Sequence, residues 1–201
     1  MKLYMKPGAC SLASHIVLRE AGLPFDLVKV DLATKKTEDG GDFLAVNPKG
    51  QVPTLGLDEG GILTEGAVIM QYVADKAPSS GLIPEHGSLE RYRVLEWLNF
   101  VGSELHKTFS PLFRPTTPDA FKAVIKENLA AKFAVLDRHL AGNHFLMGDR
   151  FTVADAYCFT VARWAKPMGI DLSRWPSLAA YMARVAERPT VRDALIAEGL
   201  A

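Results

Sequence analysis

The sequence predicts an α/β domain followed by an all-α domain, and three observations carry that expectation. Strand-like runs alternate with helical spacing over the first third of the chain. A Pro/Gly/Ser-rich stretch follows, Ala77-Pro78-Ser79-Ser80-Gly81 and Pro84-Glu85-His86-Gly87. Beyond it apolar residues recur only at helical spacing. The expected division is residues 1–77, a linker over 78–86, and a helical domain over 87–201.

Residues 2–5 read as a strand. Residues 11–21 place Leu12, Ile16, Leu18 and Ala21 at helical spacing, and Gly22 and Pro24 end that helix. Phe25, Leu27, Val28, Val30 and Leu32 mark a second strand, so 2–32 form a βαβ unit with an expected right-handed crossover. Residues 33–50 are polar and Gly-rich, with a weak helical patch at 43–46 and a turn signal at Pro48-Lys49-Gly50. Residues 52–55 and 61–64 read as short strands around a turn at Asp58-Glu59-Gly60-Gly61. A helix over 65–77 completes the order β-α-β-α-β-β-α. In the second part, Leu89 to Leu105 and Phe121 to Leu140 have helical spacing. Thr152-Val153-Ala154-Asp155 opens a third helix as a capping box, and Pro176 and Pro189 suit the first turns of two more.

With 201 residues the chain is long enough for one large domain or two small ones. Lysine plus arginine and aspartate plus glutamate both total 23, so no net charge favours nucleic acid or an anionic membrane. No apolar run is long enough to span a bilayer, and the first residues lack a signal-peptide pattern. Cys10 and Cys158 lie in unlike contexts and suggest no disulfide framework. A cytoplasmic protein is expected.

Cys10 is the most informative residue. It stands where the first strand hands over to a helix, and a thiol there faces unpaired amides and the positive end of the helix dipole. Those surroundings favour a reactive thiolate; a small buried hydrophobe also fits the local context. Val52-Pro53 suits a tight turn whose backbone offers an edge to a peptide-like ligand, and equally the start of an edge strand. Glu65-Gly66 begins a helix, where amides attract a carboxylate and Glu65 can grip an ammonium; Glu65 also simply suits the dipole, with Thr64 as cap. Lys35 and Lys36 can each reach an anion from the polar loop. Asn99, Ser103 and His106 are spaced to share one helix face, and a histidine there can hydrogen-bond a thiolate or act as acid or base near neutrality. Cys158, His15, Trp97, Trp164 and Trp175 default to packing.

These residues resemble those of a glutathione transferase, specifically the bacterial β class. The likeness rests on Pro7-Gly8-Ala9-Cys10-Ser11, Asn47-Pro48-Lys49-Gly50-Gln51-Val52-Pro53, Leu63-Thr64-Glu65-Gly66, Glu104-Leu105-His106-Lys107 and Phe151-Thr152-Val153-Ala154-Asp155-Ala156, and it spans the whole chain. The Gln51-Val52-Pro53 and Thr64-Glu65-Gly66 pieces are shared across the superfamily, whereas Cys10 and His106-Lys107 are narrower. The resemblance implies a thioredoxin-like first domain, a helical-bundle second domain and a cis Val52-Pro53 bond. It implies that Glu65 and Gly66 bind the γ-glutamyl end of glutathione, that Lys35 binds its glycyl carboxylate, and that His106 lies beside catalytic Cys10. Asn99, Ser103 and Lys107 join the glutathione site by the same likeness. Tyr4 and Ser11 stand where other classes carry an activating tyrosine or serine, but where chains of this class often carry a tyrosine this one has Met5, which leaves more of the task to Cys10 and His106.

The implied activity is detoxifying conjugation of the glutathione thiolate to small hydrophobic electrophiles, EC 2.5.1.18 in type. Monothiol disulfide exchange through Cys10 is a second chemistry. Glutathione is then a co-substrate, with no cofactor or metal, and the protein is a homodimer with no nucleic-acid or membrane partner. The expected apolar wall is Met5, Leu105, Thr108, Phe109, Leu112, Phe113 and Trp164. The alternative is a non-catalytic protein that binds glutathione or hydrophobic ligands, or regulates, on the same scaffold.

Overall fold

In the computed structural model, which describes residues 1–201, β1 (Lys2–Met5) runs through the middle of a five-stranded sheet. Its alternation buries Leu3 and Met5 completely. The chain returns through α1 (Ser11–Glu20) to β2 (Asp26–Asp31), which pairs parallel with β1, Leu3 opposite Leu27. On the other side β4 (Thr54–Gly56) pairs antiparallel, Leu3 opposite Leu55, and β5 (Ile62–Thr64) closes that edge. The strand order is β3-β2-β1-β4-β5. Helices α1 and α3 (Gly66–Lys76) pack together. The short α2 (Phe43–Val46) sinks Phe43 into a cluster with Val30 and Val52. That cluster seats the Val52-Pro53 turn. This is the thioredoxin-like domain the order of elements predicts, with one addition.

The addition is β3 (Lys36–Thr37), a two-residue strand opposite Val30 and Asp31. Two residues are too few for periodicity to register. The reversal before it is organised by the Asp31 carboxylate, which accepts from the amides of Ala33 and Thr34, while Lys35 takes a left-handed φ of 58°.

The chain forms two compact units, Met1–Ile83 with Arg188–Ala201, and Pro84–Glu187. This differs from the division at 78–86 in two ways. Leu82 and Ile83, inside the expected linker, are buried. The last helix, α9 (Pro189–Ala197), belongs with the sheet unit and packs on α1. Arg188 donates two hydrogen bonds to the Glu20 carboxylate, at 2.7 and 2.8 Å. A pairing across so many residues leaves no trace in local spacing.

The second unit is all helical. It comprises α4 (Leu89–Asn99), a π-helical segment over Phe100–His106, α5 (Lys107–Phe109), α6 (Asp119–Leu140), α7 (Val153–Ala162) and α8 (Pro176–Ala186). Every residue of α7 is buried, as for a helix at the centre of a bundle. The Asp155 carboxylate accepts from the Thr152 amide, the Thr152 hydroxyl, the Leu146 amide and the Tyr181 hydroxyl. Burial nevertheless pushes Asp155 up to about 6, those hydrogen bonds opposing the rise. Burial also raises the Cys158 thiol far above its ordinary value, which leaves it an inert core group. No helix is long and apolar enough to cross a membrane.

Candidate functional site

In the sheet unit the predicted residues converge on one turn. The loop after β1 is tied back on itself: Ala9 donates its amide to Lys6 O, and the Ser11 hydroxyl bonds both the amide and the carbonyl of Lys6. Gly8 sits there at φ 73°, a conformation that suits glycine. Cys10 is the residue before α1, but its side chain makes no capping hydrogen bond to that helix. Its thiol donates instead to the carbonyl of Val52, 3.2 Å away. The Val52-Pro53 bond is cis. The Val52 carbonyl expected at the open edge therefore meets the sulfur of Cys10. A carbonyl has two acceptor sites, so one remains for a ligand.

The turn is braced from behind. The Asn47 side-chain amide donates to Gln51 O and to the Thr54 hydroxyl, and that hydroxyl donates to Gln51 O. A Cβ placed on Gly66 would come within 3.4 Å of the Pro53 ring, so the glycine lets α3 start close against the turn. Glu65 precedes α3 at φ 69°, a strained position for a residue with a side chain. Its carboxylate receives Lys49 Nζ at 2.8 Å; the same ammonium donates to the Thr64 hydroxyl at 3.0 Å. Lys35 Nζ donates to Gly50 O at 2.8 Å. Cys10, Val52, Glu65, Gly66 and Lys35 thus border a single stretch of main chain, 50–53.

In the helical unit the expected stripe divides. The π segment closes with the Lys107 amide bonded to Gly102 O, five residues back. The wider turn carries His106 out of phase with the α-helical spacing of Asn99 and Ser103. Asn99, Ser103 and Lys107 are exposed, with the Ser103 hydroxyl donating to Asn99 O, whereas His106 turns inward. His106 Nδ1 shares a 2.7 Å hydrogen bond with the Tyr157 hydroxyl, and its ring meets Trp164 edge-on, centroids 4.9 Å apart. Burial, helped by the Lys107 charge, pushes the imidazole down to about 4. His106 is therefore neutral at neutral pH. In that form the ring offers one donor and one acceptor nitrogen to its neighbours.

The expected apolar wall is also reduced. Met5, Leu105 and Phe109 are wholly buried core residues, while Phe113 is half exposed and packs edge-on against Trp164.

Two family models match the chain, the glutathione S-transferase N-terminal domain over residues 8–76 and the C-terminal domain over 100–189. The chain belongs to the glutathione S-transferase family. This transferase is similar to the glutathione S-transferase GstA of Escherichia coli O157:H7, with 54% identity and full coverage of both chains. A sphingomonad glutathione S-transferase solved with glutathione shares 53% identity and a TM-score of 0.96, covering all of both chains. The bacterial beta class enzyme of Sphingomonas chungbukensis shares 50% identity and a TM-score of 0.97, again over all of both chains. The β-class resemblance of the sequence is thereby supported over the whole length.

Two residues of the transferase went unrecognised in the sequence. Lys49 lies within the quoted Asn47-Pro48-Lys49-Gly50 motif, yet nothing local points it at Glu65, sixteen residues on. Tyr157 sits in a helix whose every residue is buried. A hydroxyl at such a position needs a partner, and that was the only available signal.

Proposed function

We propose that this transferase binds glutathione along main chain 50–53 and presents the tripeptide's sulfur at Cys10. The observation that carries this reading is the 3.2 Å contact between Cys10 Sγ and Val52 O. A sulfur on the peptide edge stands where a bound tripeptide would bring its own. The γ-glutamyl end is assigned to Glu65 and Gly66, whose ion pair and helix start suit an ammonium and a carboxylate. The glycyl carboxylate is assigned to Lys35. On the likeness to the class, Asn99, Ser103, His106 and Lys107 supply the helical unit's share of the ligand contacts. The bound thiol loses its proton and the thiolate attacks an electrophilic carbon. A C–S bond forms and the leaving group departs with the electron pair of its broken bond. The electrophile is small and hydrophobic, and the working protein is a homodimer of cytoplasmic location.

Calorimetric titration with glutathione, followed by turnover of an aryl halide, tests the reading. Glu65→Gln and Lys35→Met are expected to weaken binding. Unchanged affinity in both variants refutes the placement. Sedimentation tests the dimer.

A second chemistry has its own support in the position of Cys10. Its thiolate can attack a glutathione mixed disulfide, forming Cys10–S–S–glutathione and releasing the other thiol; a second glutathione then releases oxidised glutathione. Cys10→Ala is expected to abolish this exchange while conjugation persists. Full exchange activity in that variant rules the step out.

A further inference from the structure

A buried polar relay outside the site just described ends on the loop that carries Cys10. Helix α9 finishes in a Schellman motif: the Leu200 amide bonds Leu195 O, the Gly199 amide bonds Ile196 O, and Gly199 takes φ 69°. That closure fixes Glu198, whose side chain is completely buried. Glu198 Oε2 accepts the Gly8 amide at 2.9 Å, and Oε1 faces Nδ1 of buried His15 at 2.9 Å. Arg19 Nε donates to His15 Nε2 at 2.8 Å. An arginine nitrogen can only donate, so Nε2 accepts and Nδ1 carries the ring proton. Every bond then runs one way, from Arg19 to His15 to Glu198, with Gly8 donating from the other side. A buried carboxylate with two donors is a satisfied group. Leu200 covers the same loop: a Cβ on Gly8 would lie 3.5 Å from its Cδ2.

We infer that Glu198 is a positioning residue for Cys10. It holds the Gly8 amide, and with it the strand-to-helix loop that aims the Cys10 sulfur at Val52. The assignment rests on the role given to Cys10 above, but its test does not need glutathione. The one-way polarity makes a sharp demand. In Glu198→Gln the new NH2 group faces either the Gly8 amide or the His15 Nδ1 proton, donor against donor. Arg19→Ala relieves this, because water can then reach Nε2, His15 can carry its proton there, and Nδ1 can accept.

The experiment measures two quantities on the whole protein: alkylation of Cys10 by iodoacetamide across pH 6–9, and hydrogen exchange of the Gly8 amide. Buried Cys158 serves as the unreactive internal control. In the unaltered protein Gly8 is expected to exchange as slowly as the amides of α1. Glu198→Gln is expected to slow Cys10 alkylation at neutral pH roughly tenfold or more, the scale of one lost charge-assisted hydrogen bond, and to expose Gly8. Glu198→Gln with Arg19→Ala is expected to recover most of both. Glu20→Gln, which breaks the other tie between α1 and α9, is expected to leave both quantities near their starting values. Four results overturn the inference: fast Gly8 exchange in the unaltered protein, an unchanged Glu198→Gln variant, no recovery in the double variant, or an equal loss in Glu20→Gln. Fast exchange at Gly8 in the unaltered protein overturns the inference even if a variant fails to fold.

Discussion

Asp155 offers the firmest quantitative test of the helical unit. It is a completely buried carboxylate whose partners all donate, yet burial lifts it from 3.8 to about 6. An acid with a raised folded value binds its proton more tightly in the folded state. Its contribution to stability is therefore fully present below the unfolded value and is lost as pH rises through the folded one. Between pH 5 and 7.5 that loss is about 1.4 kcal/mol, from one unit of displacement below a titration near 6. Asp155→Asn removes the titration. It also turns an NH2 toward groups that donate, the amides of Leu146 and Thr152 and the hydroxyls of Thr152 and Tyr181. Orphaned buried donors cost about 1–3 kcal/mol each. The variant is thus less stable at every pH, and its deficit widens by about 1.4 kcal/mol between pH 7.5 and 5. Urea unfolding followed by tryptophan fluorescence measures the deficit at each pH. The other titrating groups, His106 among them, cancel in the difference. A deficit that stays constant or shrinks on acidification refutes the reasoning, because the donors would then outweigh desolvation.

Further outcomes are expected elsewhere. Lys49→Met frees the Glu65 carboxylate for an incoming ammonium; because the pair is exposed and worth at most about 1 kcal/mol, glutathione affinity rises by up to about fivefold in calorimetry. Phe43→Ala costs about 3–5 kcal/mol of stability in chemical denaturation. It also weakens glutathione binding, since Phe43 packs under Val52. The His106 ring is expected to show no NMR titration between pH 5.5 and 8, its proton being lost near 4. A midpoint near 6.5 would contradict its burial against Trp164.

The parts of the site legible in the sequence were those fixed by neighbouring residues. A strand running into a Pro-Gly turn places Cys10 before α1, and Val52-Pro53 and Glu65-Gly66 lie at a turn and a helix start that their own residue types specify. The Thr152–Asp155 pairing is equally local. What escaped depends on partners distant in the chain or on a departure from regular geometry. Glu65 holds Lys49, His106 meets Tyr157, and Glu20 and Glu198 bind residues more than 160 positions away. The Asn99–Ser103–His106 stripe assumed 3.6 residues per turn, and the π segment does not supply them. The two-residue β3 was invisible because an Asx turn, and not apolar alternation, makes it.

The return of α9 to the sheet unit also bears on biosynthesis. Residues 188–200 leave the ribosome after the whole helical unit has been made, so the nascent sheet unit waits with one flank of α1 uncovered. A chain stalled before that point would display an unpaired Glu20, a buried-type histidine and apolar surface to the chaperone machinery.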